Sequence, residues 1–158
     1  HILMNEKMNL DPYVYPKRII NTLFSRTSTG MYYGQHVDRS YTNEGRRDYS
    51  FTLFLNNPQE YEGGELILQI PPEQKAIKLE AGSVIIYPTK YLHEVREVIS
   101  GERMVCVGWI ESYIKEDNER EMLALIRTAM AHMKSNDISK SMTSLDIAYS
   151  RLMKHFGG

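Results

Sequence analysis

The sequence contains very little cysteine and no marked excess of charge of either sign. Its single cysteine, Cys106, lies in an apolar run and cannot form an intrachain disulfide, which excludes a disulfide framework and indicates a reducing compartment. The 19 lysine and arginine residues against 20 acidic ones give a formal net charge of -1. Because such a chain has no global field that would gather nucleic acid or anionic lipid, we expect neither nucleic acid nor a membrane as a partner.

Long hydrophobic runs are also missing. The longest, over residues 83–87 and 104–110, are far shorter than the roughly 20 residues of a membrane-spanning helix. The first residues, HILMNEK, lack the charged region, apolar core and small-residue cleavage site of a signal peptide. We therefore expect a cytoplasmic protein, and the length of 158 residues predicts a single domain over 1–158.

Short β-type runs separated by turn residues dominate the chain from Gly30 to Ser112. The runs cover residues 31–37, 49–55, 65–70, 76–79, 83–87, 93–98 and 103–111. Seven or eight short strands at this spacing predict a sandwich or barrel rather than a parallel α/β sheet. The expected fold is therefore mainly β, with a β core over about 24–112.

Helical patterns flank the β region on both sides. An apolar stripe from Ile19 to Phe24, with Pro16 in the first turn, predicts a short N-terminal helix over residues 15–24. Two further apolar stripes predict C-terminal helices over about 116–156, the last opened by a capping box at residues 143–146. We expect these helices to support the sheet.

The triplet His36-Val37-Asp38 lies on a predicted strand, where residues two apart point to the same face. Imidazole and carboxylate would therefore face one spot. With five histidines in the chain, such a triplet arises readily by chance, and a hydrogen-bonded pair on a half-buried strand explains it equally well.

His93, near the start of another predicted strand, strengthens the metal hypothesis. Two histidines and one carboxylate form the facial triad that suits iron(II) and leaves positions open for a chelating cosubstrate and dioxygen. Zinc more often takes three or four nitrogen and sulfur ligands, which the lone Cys106 does not provide. We therefore predict iron on His36, Asp38 and His93.

Arg103 follows ten residues after His93. If Ser100-Gly101 closes a hairpin, His93 faces Val107 and lies on the same face as Arg103, about 13 Å away at roughly 3.3 Å per residue. A metal-bound five-carbon diacid plus an extended arginine fills that gap, and a guanidinium matches a carboxylate through two parallel hydrogen bonds. The alternative is a surface salt bridge with a residue such as Glu97.

These residues belong to a set of motifs that resembles the PKHD-type hydroxylases, the bacterial and phage branch of the prolyl/lysyl hydroxylase-like 2-oxoglutarate oxygenases. The resemblance covers most of the chain. Its motifs are GQHVD (34–38), RDYSFTLFL (47–55), GGEL (63–66), Tyr87-Pro88, LHEV (92–95), GER (101–103) and WIES (109–112).

The resemblance implies a double-stranded β-helix fold of the jelly-roll or cupin-like kind. It implies iron(II) on His36, Asp38 and His93, with the far carboxylate of 2-oxoglutarate on Arg103. The implied chemistry couples oxidation of a substrate and of 2-oxoglutarate by O2, giving a hydroxylated product, succinate and carbon dioxide, often with L-ascorbate in support.

The predicted cosubstrate pocket departs from the family pattern. Family members often carry a tyrosine nine residues before the metal histidine, where this chain has Thr27, and animal prolyl hydroxylases carry one near Phe54. We expect Thr52, with Tyr32 or Tyr33, to complete the cosubstrate site. Packing on a strand explains each of the three equally well.

Three arginines, Arg39, Arg46 and Arg47, mark the loop after the first metal strand. In related prolyl hydroxylases a loop here folds over the peptide, and the alternative is a solvated loop.

Our first expectation for the substrate is peptidyl proline or another peptidyl side chain, with a free amino acid or small metabolite as the alternative. A nucleic-acid demethylase is disfavoured because Trp109, which we expect to anchor the core, stands where those enzymes carry a second arginine. A halogenase is disfavoured because Asp38 fills the place of its chloride. A non-catalytic cupin-like module that binds a metal or small ligand is the alternative from another class.

Overall fold

A computed structural model describes residues 3–5, 11–135 and 138–156 of the chain. Strands dominate it, as expected. The strands are β1 (Leu3–Asn5), β2 (Pro16–Ser28), β3 (Tyr33–His36), β4 (Tyr41–Thr42), β5 (Gly45–Arg46), β6 (Tyr49–Phe54), β7 (Tyr61–Gly63), β8 (Leu66–Ile70), β9 (Glu73–Ile77), β10 (Val84–Pro88), β11 (His93–Val95) and β12 (Val98–Ser112). The helices are α1 (Asp11–Val14), α2 (Asp117–Lys134) and α3 (Ile138–Phe156), and a 3-10 turn covers Pro58–Glu60.

Two antiparallel sheets and the two-stranded ribbon β4-β5 form the described β part. The larger has the order β1-β10-β6-β12-β2, with β7 also paired to β12, and the smaller has the order β3-β11-β8-β9. From β9 to β12 successive strands alternate between the two sheets, which is the connectivity of a jelly roll. This arrangement confirms the predicted double-stranded β-helix.

The inner face of the larger sheet is set by the alternation along β6. Ser50, Thr52 and Phe54 are buried, whereas the residues between them are only half-buried. Phe54 joins an apolar cluster that also contains Leu66, Leu68, Ile77, Ile85, Tyr87 and Val105. The two hydroxyl residues of β6 therefore lie inside the β part and not on its surface.

The helix predicted over residues 15–24 is wrong, because this segment is the edge strand β2. Of its residues only Ile20 is buried, so the apolar stripe does not mark a packed helix face. Isoleucine pairs and threonines favour an extended backbone, and hydrogen bonding to β12 secures it.

The hairpin predicted at Ser100-Gly101 is also wrong. β11 pairs with β3 and β8 in the smaller sheet, whereas β12 pairs with β7 and β6 in the larger one. Gly101 has φ 79°, and a Cβ there would lie 2.4 Å from the Glu60 carbonyl oxygen. The glycine thus permits the close approach of the Pro58–Glu60 turn and does not close a hairpin.

The chain divides into two compact units, one that holds the strands up to Glu111 and one that holds α1 and the chain from Ser112. In the second unit α2 and α3 pack against each other. The predicted capping box is wrong, because Thr143 lies inside α3 and donates to the carbonyl of Ser139. Among the described residues, no helix is long and apolar enough to cross a membrane.

Candidate active site

His36, Asp38 and His93 come together on the smaller sheet. His93 is the cross-strand partner of His36, and their ring centroids are 4.2 Å apart. Asp38 follows β3 by two residues, with Oδ1 3.6 Å from Nε2 of His36 and Oδ2 3.7 Å from Nε2 of His93. One ligand atom from each residue lies within 4.8 Å of the others, so the three could hold one metal ion.

Backbone carbonyls orient both imidazoles. Nδ1 of His36 lies 2.8 Å from the carbonyl oxygen of Gly34, and Nδ1 of His93 lies 2.9 Å from that of Tyr91. A carbonyl oxygen only accepts, so Nδ1 carries the proton and donates in both rings. Nε2 of each ring is then the nitrogen with a free lone pair, as in metal-binding histidines.

The burial of His93 favours the same protonation state. Its side chain is buried, and burial lowers the pKa of His93, although the bond to the Tyr91 carbonyl and the charge of Asp38 act in the opposite direction. A lowered pKa keeps this imidazole neutral near pH 7. Neutral imidazole is the form that binds a metal.

Two donors from the larger sheet hold the carboxylate of Asp38. Ser50 Oγ donates to Oδ2 at 2.8 Å, and Trp109 Nε1 donates to the same oxygen at 2.9 Å. We had expected Trp109 to anchor the core, but its half-buried ring lines the pocket. Sequence reasoning missed both donors, because only the strand register places Trp109 opposite Ser50.

A pocket of about 710 Å³ lies next to the triad. Its wall contains the three candidate ligands, several apolar side chains and Arg103. This volume falls within the range of small-molecule sites. His93 and Arg103 thus face one pocket, as we expected, but from different sheets and not from two arms of a hairpin.

Arg103 is a buried cation in this pocket. Its side chain is 3% exposed, and Nε has no hydrogen-bond partner. Burial lowers the pKa of Arg103, whereas the nearby Tyr61 and Tyr87 hydroxyls act in the opposite direction, and a guanidinium remains charged at neutral pH. No carboxylate forms a salt bridge with it in the part of the chain that the structure describes. A ligand with a carboxylate fits this position.

Tyr87, which the sequence analysis names only as part of a family motif, is a further pocket residue. Its side chain is 3% exposed, lines the pocket and forms a hydrogen bond with Thr52. Burial raises the pKa of Tyr87, so its hydroxyl stays neutral. Tyr87 lies opposite Ser50 in the register of β10 with β6, and the sequence alone does not display this pairing.

Two of the three other predicted cosubstrate residues, Tyr32 and Tyr33, lie nearer the surface. Tyr32 and Tyr33 line the pocket but are 69% and 61% exposed. The Tyr33 ring lies 4.1 Å from the His36 ring, centroid to centroid. Thr52, in contrast, is buried within the pocket wall.

The three loop arginines lie in different environments. Arg46 Nε donates to Asp48 at 2.8 Å, and the Arg47 guanidinium carbon lies 3.7 Å from the centre of the Trp109 ring. Arg39 is exposed. None of the three is among the described residues that line the pocket.

Comparison with known proteins agrees with this geometry. A model of the 2OG-Fe(II) oxygenase superfamily matches residues 22–111. A PKHD-type hydroxylase of Prochlorococcus marinus strain MIT 9211 is 40% identical over 159 residues, which cover 98% of this chain and 72% of the relative. Another, from strain MIT 9313, is 43% identical over 160 residues, with the same two shares.

Two solved structures share the fold. A Pseudomonas putida prolyl-4-hydroxylase has a TM-score of 0.54 at 24% identity, over 66% of this chain and 58% of that one. A 2OG-Fe(II) oxygenase family oxidoreductase from Burkholderia pseudomallei has a TM-score of 0.52 at 22% identity, over 60% and 44%. These likenesses establish the fold alone. The family match and the closer sequence relatives establish more: the chain belongs to the 2OG-Fe(II) oxygenase superfamily and, within it, to the PKHD-type hydroxylases.

Proposed function

We propose that this oxygenase hydroxylates a peptidyl side chain, with peptidyl proline as the first candidate. In this proposal His36, Asp38 and His93 hold iron(II), and Arg103 holds the distal carboxylate of 2-oxoglutarate. The observation that carries the proposal is one pocket that contains both a His-Asp-His set and a buried arginine.

The donor set fits iron(II). Two imidazoles, each bonded through Nδ1 to a backbone carbonyl, and one carboxylate form a facial triad, which leaves positions for a chelating cosubstrate. When bound, the iron supplies the dioxygen chemistry that couples decarboxylation of 2-oxoglutarate to hydroxylation of the substrate. The chain's own residues orient the reactants and exclude water from them.

Arg103 supports 2-oxoglutarate as the cosubstrate. Its Nε lacks a partner in a buried position, and a carboxylate would accept from the guanidinium through two parallel bonds. We propose that Thr52 and the Tyr87 hydroxyl complete this end of the pocket, because the two are bonded to each other beside it. Tyr32 and Tyr33 are better suited to the pocket rim, because more than half of each side chain is exposed.

The pocket rim favours a peptide over a small metabolite. Five exposed side chains with large apolar surfaces line it: Leu23, Phe24, Met31, Tyr32 and Tyr33. Aromatic surfaces of this kind accept proline rings and extended peptides. The relatives are named hydroxylases and one structural neighbour is a prolyl-4-hydroxylase, which supports the same choice. A free amino acid or small metabolite is the second candidate.

Two finer points belong to the proposal. The buried free thiol of Cys106 supports a reducing, cytoplasmic location. The family resemblance supports ascorbate as an auxiliary reductant.

A non-catalytic cupin-like module is the rival from another class, and it gives no reason for a buried arginine in the same pocket as the His-Asp-His set.

Turnover of a peptide library tests the proposal directly. The protein is supplied with iron(II), 2-oxoglutarate and ascorbate, and each proline-containing peptide is examined for the gain of one oxygen atom alongside succinate release. A matched library with alanine in place of proline is the control. Succinate release that no peptide stimulates, together with oxygen gain by a free amino acid, would favour the second candidate. Absence of any succinate would favour the cupin-like module.

A further inference from the structure

Two hydrogen-bond donors converge on one oxygen of Asp38. Ser50 Oγ and Trp109 Nε1 lie 2.8 and 2.9 Å from Oδ2. The two residues are register partners on β6 and β12, so their side chains stand next to each other on the inner face of the larger sheet. An indole N–H can only donate, which fixes the direction of the Trp109 bond.

The other oxygen of Asp38 has a different environment. Oδ1 lies 3.6 Å from Nε2 of His36, and within the described residues no hydroxyl or N–H donates to it. The two donors therefore occupy Oδ2 and leave Oδ1 with its lone pairs unused. A carboxylate held in this way offers a metal one defined oxygen.

Arg47 lies over the ring of Trp109. Its guanidinium carbon lies 3.7 Å from the centre of the Trp109 ring, and its Nε is buried without a hydrogen-bond partner. A cation over the indole face stabilises the ring in place. Arg47 touches none of the three candidate ligands in the contacts described, so any effect on the metal passes through Trp109.

We propose that Ser50 and Trp109 are positioning residues that hold Asp38 for metal binding, and that Arg47 supports them through the Trp109 ring. This inference rests on the proposed iron site. Hydrogen-bond partners of metal ligands typically change metal affinity by about 10- to 100-fold when they are removed. The contact of Arg47 with the ring is weaker and is expected to change affinity by about 2- to 5-fold.

Anaerobic iron(II) titration of the full chain, without 2-oxoglutarate, tests the proposal independently of turnover. Trp109→Phe removes the N–H but keeps a ring under Arg47, Ser50→Ala removes the hydroxyl, and Arg47→Gln removes the charge. Ser112→Ala is the matched control, because it removes a buried hydroxyl that bonds to the Tyr15 carbonyl and, in the contacts described, to no candidate ligand. Thermal unfolding of each metal-free variant runs in parallel.

We expect Trp109→Phe and Ser50→Ala to weaken iron(II) binding by about 10- to 100-fold each. The double variant should lose less than the product of the two effects, because both donors serve one oxygen. Ser112→Ala should bind as wild type does. If the iron affinity is unchanged in both single variants, the inference is overturned. This holds even where the metal-free variants are less stable, because a loss of stability alone indicates a structural role. A wild-type chain that binds no iron(II) overturns the proposed function as well, and so separates the two failures.

Discussion

His36 and His93 face each other across neighbouring strands of the smaller sheet, as register partners with ring centroids 4.2 Å apart. Each ring is bonded through Nδ1 to a backbone carbonyl two residues earlier in the chain, Gly34 for one and Tyr91 for the other. The same local bond thus turns both Nε2 atoms towards Asp38. The backbone therefore sets the orientation of both nitrogens.

We predict that iron(II) binds with one ion per chain and that His36→Ala, Asp38→Ala and His93→Ala each remove most of the affinity. Three ligands leave no spare donor to compensate for a loss. Equilibrium dialysis under anaerobic conditions measures the effect, with His132→Ala on α2 as the control. Near-normal binding in all three variants would contradict the assignment.

Those residues of the candidate site that follow from local spacing rules could be predicted from the sequence. A strand period of two put His36 and Asp38 on one face, the composition of a facial triad added His93, and the spacing from His93 added Arg103. Ser50, Tyr87 and Trp109 were missed as neighbours of the ligands, because they meet only through the register of β10, β6 and β12. Register depends on pairing between distant segments, which a single sequence does not display.

Two of the three errors in the fold have local causes that the structure shows. The spacing of apolar residues in β2 satisfies a helical stripe, but β-branched residues and an edge position beside β12 favour the extended form. Gly101 carries a turn signal, yet its positive φ serves the approach of the chain at Glu60. Arg103 was therefore assigned to the right pocket through a wrong hairpin.

Glu111 should make stability depend on pH. Arg18 donates to its carboxylate at 2.6 Å and Lys17 at 3.3 Å, and the bond from Arg18 is the main cause that holds the pKa of Glu111 below its usual value. A carboxyl group whose pKa is lower in the folded than in the unfolded state stabilises the fold above the unfolded-state pKa, about 4.3. This stabilisation is lost as the pH falls through the folded-state pKa. Below about pH 4.5 the free energy of unfolding, measured with denaturant, should therefore fall more steeply with decreasing pH in wild type than in Glu111→Gln.

The control for that comparison is Glu102→Gln, since Glu102 lies in an exposed pair, 3.7 Å from Arg26. We expect its pH profile to match that of wild type. Parallel profiles for wild type and Glu111→Gln would mean that the ion pairs of Glu111 with Arg18 and Lys17 contribute nothing between the two pKa values.

Arg39 is the loop arginine most available to a substrate. It is exposed, whereas Arg46 is paired with Asp48 and Arg47 lies over Trp109. We expect Arg39→Ala to raise the KM for an acidic peptide by up to about fivefold, the size of an exposed ion pair, and to leave uncoupled 2-oxoglutarate turnover unchanged. Arg96→Ala, also exposed, is the control. Equal KM values in the two variants would indicate a solvated loop.

Tyr87→Phe should weaken 2-oxoglutarate binding without affecting iron. Loss of one neutral hydrogen bond costs about 0.5–1.5 kcal/mol, or roughly 2- to 10-fold in the dissociation constant. Titration of 2-oxoglutarate into the anaerobic iron complex, followed by its absorption band, measures the change. Tyr41→Phe, in which the parent ring is 70% exposed, should bind as wild type does. An unchanged constant in Tyr87→Phe would mean that this hydroxyl only packs against Thr52.

The strongest test of the cosubstrate is Arg103. If it anchors the distal carboxylate, Arg103→Ala leaves a buried anion without its partner, a loss of about 2–5 kcal/mol. The apparent dissociation constant of 2-oxoglutarate should then rise by roughly 30-fold or more, measured with the same absorption band. The dissociation constant of Arg103→Lys should lie between those of wild type and Arg103→Ala, because lysine keeps the charge but cannot form the two parallel bonds. Iron affinity should barely change, since Arg103 lies on β12 of the other sheet from both metal histidines. Wild-type cosubstrate affinity in Arg103→Ala would make the residue structural and would leave 2-oxoglutarate supported by family membership and the metal triad alone.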